Sequence, residues 1–461
     1  MSLPRRRCLG IAIGPMRVPE LLAPAGSLRM AATALDFGAN AIYAGQPRYS
    51  LRVRNNEFGK LEALAAGIDL VHGRGGKFYL VSNIYPRNAK LKTFVADMAP
   101  VVALGPDALI MSDPGLMMMA REAWPEMPIH LSVQSNTVNH AAVRFWRSVG
   151  VSRVILSREL SLDDVAEIRQ ECPDTELEVF VHGALCVAYS GRCLLSGYFN
   201  HRDPNQGSCT NSCRWDYKVH EGHADASGDI HADVAPSLRP QSANLPRRPG
   251  QAFLLEEATR PGQLMPVEED EHGTYILNSR DLRAIEHVAR LVEIGVDSLK
   301  IEGRTKSPYY VARTCQTYRR AIDDALAGRP FDGRLVGELE GLANRGYTAG
   351  FYERHADQAH QNYLRGNSES GRSLYVGDVV GYGSDGLAEV EVKNKFGVGD
   401  RIEVIHPAGN QDVTVAAMVR AADGSPMELA PGNGHRVRIP LPPGKEGAFI
   451  ARFLMPEEGL Q

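Results

Sequence analysis

Four cysteines could do chemistry together. Cys186, Cys193, Cys209 and Cys213 follow the spacing C-x6-C-x15-C-x3-C, while the other three of the chain's 7 cysteines, Cys8, Cys172 and Cys315, are scattered. Thiols this concentrated have few uses. Disulfides suit an oxidising compartment, and no export signal stands elsewhere in the chain. Chance burial of small apolar side chains accounts for single cysteines better than for a quartet. A metal or cluster held by thiolates remains. Structural zinc favours two tight knuckles, and only Cys209 and Cys213 form one. The loose spacing with Gly191, Gly197 and Gly207 between the ligands suits a bulkier cluster. Spacing alone leans to iron–sulfur and leaves zinc open.

Other candidates follow from the elements that must position them. From residue 19, short apolar runs alternate with amphipathic stretches: 20–25, 41–45, 77–83, 108–113, 129–133, 153–158 and 177–183, the last entering the cysteine loop. Two more runs, 274–279 and 298–303, come after a gap. Strand–helix repeats of this kind imply parallel strands with right-handed crossovers. No G-x-G-x-x-G follows the first strand, so a TIM-type (β/α)8-like barrel is expected rather than a doubly wound sheet. Nine candidate strands compete for eight places; 274–279 is either accessory or a sign of an imperfect barrel.

In such barrels the site lies past the strand C-termini. Those positions hold Gln46 and Arg48, Asn83, Asp113, Gln134 and Asn136, Arg158 and Glu159, His182, Asn278 and Arg280, and Glu302 and Arg304. His182, Glu302, Asn83 and Asp113 are the candidates for chemistry, although Asp113 before Pro114 reads equally well as a helix cap. Arg48, Arg52, Arg54, Arg158 and Arg304, with Gln134 and Asn136, are candidates for binding. Guanidinium groups match carboxylates and phosphates, and each arginine could instead pair with a nearby carboxylate such as Glu57, Glu159 or Glu302. His182 is either a hydrogen-bonded barrel histidine or a proton carrier beside the cysteines. Tyr43, Tyr49 and Tyr85 could stack on a base or simply pack. Lys300, inside an apolar strand, is aimed into the barrel by alternation, where it could form a Schiff base or an ion pair, the ion pair being the better reading. No H-E-x-x-H or G-x-S-x-G is present, which weakens a protease reading without excluding convergent arrangements.

The remaining segments frame this barrel (19–330, with the cysteine loop at 184–217). Residues 1–18 read as a disordered tail, with Met16 as an alternative start. Residues 218–273 are rich in Pro, Ser, Asp and His without a period and read as a mobile insertion, with a hairpin around EDEHG; its scattered histidines read as solvated. Residues 331–373 read as a linker or packed arm. From 374 to 461 the pattern turns to period two, which implies a small all-β barrel domain. With Lys+Arg 51 against Asp+Glu 55 the net charge is −4, so any nucleic acid must meet a local basic patch. No apolar run is long enough to span a bilayer, and a cytoplasmic location without membrane contact is expected.

The phrase HGALCVAYSGRCLLSGYFNHRDPNQGSCTNSCRWDY resembles the signature of the collagenase-like peptidase family U32. The likeness continues through PELLAPAG, AIYAGQPRYSLRVRNNEF, GPDALIMSDPG, IHLSVQSN, VILSREL, NSRDLRAI and SLKIEGRTKSPYYVART. It points to a branch associated with 5-hydroxylation of the wobble uridine in tRNA anticodons. That resemblance implies an oxygen-sensitive [4Fe–4S] cluster on Cys186, Cys193, Cys209 and Cys213, a requirement for prephenate as co-substrate or cofactor, tRNA as partner, and an electron-donor protein. The alternatives are a peptidase on the same scaffold and a zinc-bound RNA-binding module.

Overall fold

The computed structural model describes residues 17–45, 48–50, 56–86, 88–184, 281–303, 306–342, 344, 346–353 and 373–454, with the backbone of short strands between 188 and 275. Seven strands, β1 (Glu20–Pro24), β2 (Ala41–Gly45), β3 (Lys77–Ser82), β4 (Ala108–Met111), β5 (Ile129–Leu131), β6 (Arg153–Ile155) and β7 (Glu176–Ala184), pair in parallel, each with the next. The eighth, Ser298–Ile301, pairs in parallel with both β7 and β1 and closes the barrel. The expected TIM-type barrel is therefore the fold.

Both faces of a parallel sheet must be apolar, because helices cover the outside and side chains fill the inside. Leu21, Ala23, Phe78, Leu80, Val179 and Leu299 face the helices in one large core. Their alternates Leu22, Tyr43, Tyr79, Val81, Ile155 and Phe180 form a separate cluster within the barrel. Helices after the strands start at side-chain caps, among them Ser27, Asp113, Asn139, Ser161 and Ser307. Each cap satisfies a helix N–H that would otherwise lack a partner at the barrel's C-terminal face.

The surplus ninth strand has an explanation in β7, which at 9 residues overhangs the barrel. The overhang pairs antiparallel with Asp281–Arg283 (Asp281 opposite Ala184), and Tyr347–Thr348 joins on the far side. Upstream, Gly273–Tyr275, which includes the first two residues of the expected strand 274–279, belongs to a different sheet, antiparallel to Leu264–Asp270; residues 276–280 lie outside the described ones. The aperiodic insertion also differs from expectation. Tyr217–Ala224, Ile230–Ala232, Gln251–Glu257, Leu264–Asp270 and Gly273–Tyr275 form a five-stranded antiparallel sheet, held by backbone pairing that a mixed polar composition does not announce. Within the segment read as a linker, Arg334–Glu340 is helical. At the other end, Arg17 bonds Asp297 at 2.7 Å, inside the stretch read as a tail, and residues 1–16 lie outside the description.

The C-terminal domain is a seven-stranded antiparallel sheet ordered Gln411–Thr414, Arg401–Ile405, Phe449–Phe453, Ser373–Tyr382, Ala388–Val392, Arg436–Ile439, Val419–Arg420. The sheet encloses one apolar cluster that includes Val376, Val390, Ile402, Val437 and Ile450. Its edge strands are consecutive in sequence, joined by residues 415–418, whose Val415 and Met418 sit in that cluster. The expected barrel is thus wrapped but not closed: among the described residues no ladder joins the two edges, because the chain turns inward there to bury Val415 and Met418. The domain docks on the helices Leu28–Asp36 and Pro308–Leu326 of the barrel. Arg29 pairs with Asp378 at 2.8 Å, Tyr309 stacks on Tyr375 at 4.7 Å, and fully buried Arg313 grips both oxygens of Glu403.

Candidate functional site at the barrel mouth

At the C-terminal ends of β3, β4, β5 and β6 the interior changes from apolar to hydroxyl and amide. Asn83, Ser112, Ser132 and Ser157 are all buried. Asn83 Nδ2 donates to Ser132 Oγ at 3.3 Å, and Ser112 Oγ donates to the Asn83 carbonyl at 3.3 Å. Across the opening Arg158 lies over the Phe180 ring, its Cζ 3.8 Å from the centroid. Its terminal nitrogens reach the Ala184 carbonyl at 3.1 Å and Glu302 at 3.7 Å. The Arg158 Nε is buried without a partner. Glu302 reaches this position because β7 and the eighth strand come very close: Gly183 has φ of +101°, and a Cβ there would sit 2.4 Å from the Glu302 carbonyl oxygen. Glycine meets both requirements. Among the described residues the mouth therefore sets Arg158 and Glu302 over a cup of hydroxyl and amide groups, of which Ser157 donates to Glu159, an arrangement that can orient a polar planar molecule.

The candidate residues separate accordingly. Asn83, Arg158 and Glu302 meet at the mouth. Gln134 and Asn136 flank it on the turn Val133–Ser135; Asn136 has φ of +56°, the sole positive φ outside glycine among the described residues, and its buried Oδ1 has no partner. Backbone strain of this type collects at binding sites. Asp113 accepts the Leu116 N–H at 2.8 Å and caps the helix Pro114–Ala123, which is the capping alternative. Arg48 pairs with Asp97 at 2.9 Å and donates to Thr93 at 3.0 Å, a carboxylate partner that sequence spacing did not suggest. Arg52, Arg54 and Arg304 lie outside the described residues, as do Gln46, Asn278 and Arg280.

His182 does not line this mouth. The β7 register slips beside Ile301, so both Val181 and His182 turn toward the helix Pro308–Leu326. The ring is 1% exposed and walled by Tyr310, Tyr318 and Tyr347 at 5.8, 5.5 and 5.4 Å. Tyr318 gives its only proton to the Val181 carbonyl at 2.7 Å, so its oxygen can only accept from His182 Nδ1, 3.3 Å away. That fixes the Nδ1–H tautomer and leaves Nε2 a buried lone pair without a partner. Burial, reinforced by Arg283 and Lys306, pulls its pKa down to about 3. A group so poor at holding a proton fits the hydrogen-bonded histidine better than the proton carrier.

Of the cysteine quartet, Cys186, Cys209 and Cys213 lie outside the described residues, and for Cys193 only the backbone is described. Arg192–Cys193 pairs antiparallel with Ala188–Tyr189, Cys193 opposite Ala188. The chain thus doubles back within the x6 spacing, directly after the end of β7.

Sequence reasoning found one buried ion pair and missed the network around it. Lys300 Nζ bonds Glu178 at 2.8 Å, as its place in the strand suggested. Arg153 joins Glu178 at 3.2 Å, Glu176 at 2.8 Å and Glu20 at 2.6 Å, and Tyr79 donates to Glu20 at 2.7 Å. Period-two alternation aims Glu20, Arg153, Glu178 and Lys300 inward, at strand starts rather than at the strand ends where barrel sites lie.

Fold and site together define the class: a closed (β/α)8-barrel protein with a polar mouth, a cysteine-rich loop after the seventh strand and an antiparallel C-terminal domain. The chain belongs to peptidase family U32, whose model matches residues 26–362, with the family's C-terminal domain model matching 372–452. It is 58% identical over 428 residues to tRNA hydroxylation protein P of Escherichia coli (strain K12), covering 92% of this chain and 94% of that protein. It is 55% identical over 431 residues to the protein of the same name in Haemophilus influenzae, covering 92% and 93%. Among solved structures, the U32 peptidase Mk0906 aligns over 39% of this chain and 73% of its own with 12% identity and a TM-score of 0.32.

Proposed function

We propose that this protein is a tRNA-modifying enzyme that hydroxylates the wobble uridine at carbon 5, in a prephenate-dependent reaction. The observation that carries this reading is the polar mouth of Asn83, Ser132, Arg158 and Glu302 beside the cysteine-bearing loop, in a chain more than half identical to relatives named for tRNA hydroxylation. The amide and hydroxyl edge suits the oxygen and N–H pattern of a uracil ring. Arg158, supported by Arg52, Arg54 and Arg304 from neighbouring loops of the sequence, supplies cationic forks for the carboxylates of prephenate or for a phosphate. Cys186, Cys193, Cys209 and Cys213 would hold a [4Fe–4S] cluster. When bound, the cluster would supply the electron-transfer or oxygen-handling chemistry that replacing C5–H by C5–OH requires. The protein's own part is to bind the extruded base, to hold it against Arg158 and Glu302, and to exclude bulk water beneath Phe180.

The peptidase alternative has less support. Among the described residues Cys172 and Cys315 are buried away from the mouth, and His182 is committed to Tyr318, so no nucleophile–histidine pair is formed. A deletion strain complemented with the wild-type gene or with Cys→Ala variants provides the test. Mass spectrometry of its tRNA nucleosides should show the 5-hydroxyuridine family restored by the wild type and absent with any of the four variants. Full restoration by all four would end the cluster reading; unchanged nucleosides on deletion would end the assignment.

A further inference from the structure

Three tyrosines follow or end barrel strands near the mouth, and the structure separates them sharply. Tyr43 and Tyr49 are buried, at 2% and 0% exposure, whereas Tyr85 is 47% exposed. Tyr43 donates to the Ile301 carbonyl at 2.9 Å and Tyr49 to Asp97 at 2.5 Å, so both serve packing. Tyr85 lies two residues beyond the mouth residue Asn83. Its hydroxyl donates to the Gln134 carbonyl at 3.0 Å, which ties the loop after β3 to the turn after β5. An exposed aromatic ring anchored by its far end is held still and presents a face to solvent. It pays little entropy on meeting a flat partner.

Two lysines follow Tyr85 in the same stretch of chain, and Lys90 Nζ lies 6.0 Å from the centroid of the Tyr49 ring. Lys90 donates to the Arg48 carbonyl at 2.9 Å, and Lys92, two residues further on, is exposed. The Ile84 N–H bonds the Tyr49 carbonyl at 3.1 Å, which ties the backbone after β3 to that after β2 at this point. Arg48 pairs with Asp97, and Lys90 and Lys92 add two further positive charges in this part of a chain of net charge −4. A fixed aromatic face with adjoining lysines, at the lip of a polar cup, is the arrangement that engages an unpaired nucleobase and its flanking phosphate.

We propose that Tyr85 is the stacking platform for an unpaired base of the RNA, with Lys90 and Lys92 neutralising the adjoining phosphates. This rests on the tRNA reading above and adds to it a site that holds the strand next to the mouth. In that role Tyr85 positions RNA and takes no part in the chemistry.

The test uses the full chain, as isolated with its own cofactor, and an unmodified tRNA transcript followed by fluorescence anisotropy. Tyr85→Ala should weaken binding by about tenfold to a hundredfold, while Tyr85→Phe should stay within about twofold of wild type, because it loses only the hydroxyl. Lys90→Gln with Lys92→Gln should weaken binding most at low salt, converge on the wild type at high salt, and reduce the slope of log K against log salt by about 1.4. A 2-aminopurine in the anticodon loop should be quenched by the wild type and by Tyr85→Phe but not by Tyr85→Ala. Matching thermal melts separate this from misfolding. Tyr85→Ala binding as tightly as wild type overturns the platform, and so does Tyr85→Phe failing as badly as Tyr85→Ala. Wild-type protein with no affinity for tRNA removes the functional reading itself, a result distinct from either.

Discussion

Arg153 and Arg158 flank the same strand, β6, five residues apart, and live in opposite worlds. Arg153 at the barrel floor meets Glu20, Glu176 and Glu178 at 2.6–3.2 Å. Burial works against its charge, but Glu20 and Glu178 more than restore it and its pKa is raised. His130 in the same layer is driven the other way, well below its ordinary value by burial and then by Arg153, Lys300 and Lys77. Arg158 at the mouth has one acid at 3.7 Å, a ring beneath it and an Nε without a partner. The floor is a closed ionic plug whose charges are matched to one another. The mouth has polar capacity left over. Satisfied groups serve stability, and the unspent capacity at the mouth is available for a ligand.

The contrast breaks first at the floor. Glu178→Ala strands Lys300 in the interior and takes a partner from Arg153, so it should cost about 3–5 kcal/mol in urea unfolding. A loss below about 1 kcal/mol would mean that water reaches the floor and the plug is open. At the mouth, Arg158→Lys should do the reverse. It removes the flat guanidinium from Phe180 and should shift stability by about 1 kcal/mol. Modification of tRNA in a complemented deletion strain should fall on the order of a hundredfold, because the base and Glu302 lose their alignment. Equal activity with lower stability would place Arg158 with the floor. The smallest effect is at Asp113. Replacing it by Ala removes a helix cap and should cost about 1 kcal/mol, while Asn keeps the acceptor and most of the stability. Asp113→Asn with normal melting and no tRNA modification would return Asp113 to the catalytic set.

Much of the barrel was legible because period two and period 3.6 alternate along it without interruption, and eight of nine expected strands took their places. The surplus ninth, read as accessory or as a sign of an imperfect barrel, begins in a separate sheet, while the overhang of β7 takes Asp281–Arg283, a pairing set by a neighbour's length. The site was legible in part. Asn83, Arg158 and Glu302 share the mouth as strand-end position suggested, yet His182, placed by the same rule, is turned away by a register slip at Ile301. A slip of one residue inverts a side chain's direction and leaves no mark in composition.

What the sequence determined by itself was the local alphabet: which runs are strands, where the caps fall, and that four thiols crowd one loop. These depend on neighbours within a few residues. Only the tertiary structure decided which polar groups are matched and which are left with capacity to spare. Glu178 and Lys300 are 122 positions apart and touch, whereas Tyr85 and Tyr49 are close in the fold and differ in exposure. Burial and partnership are properties of the closed barrel, where distant strands set the surroundings of every side chain.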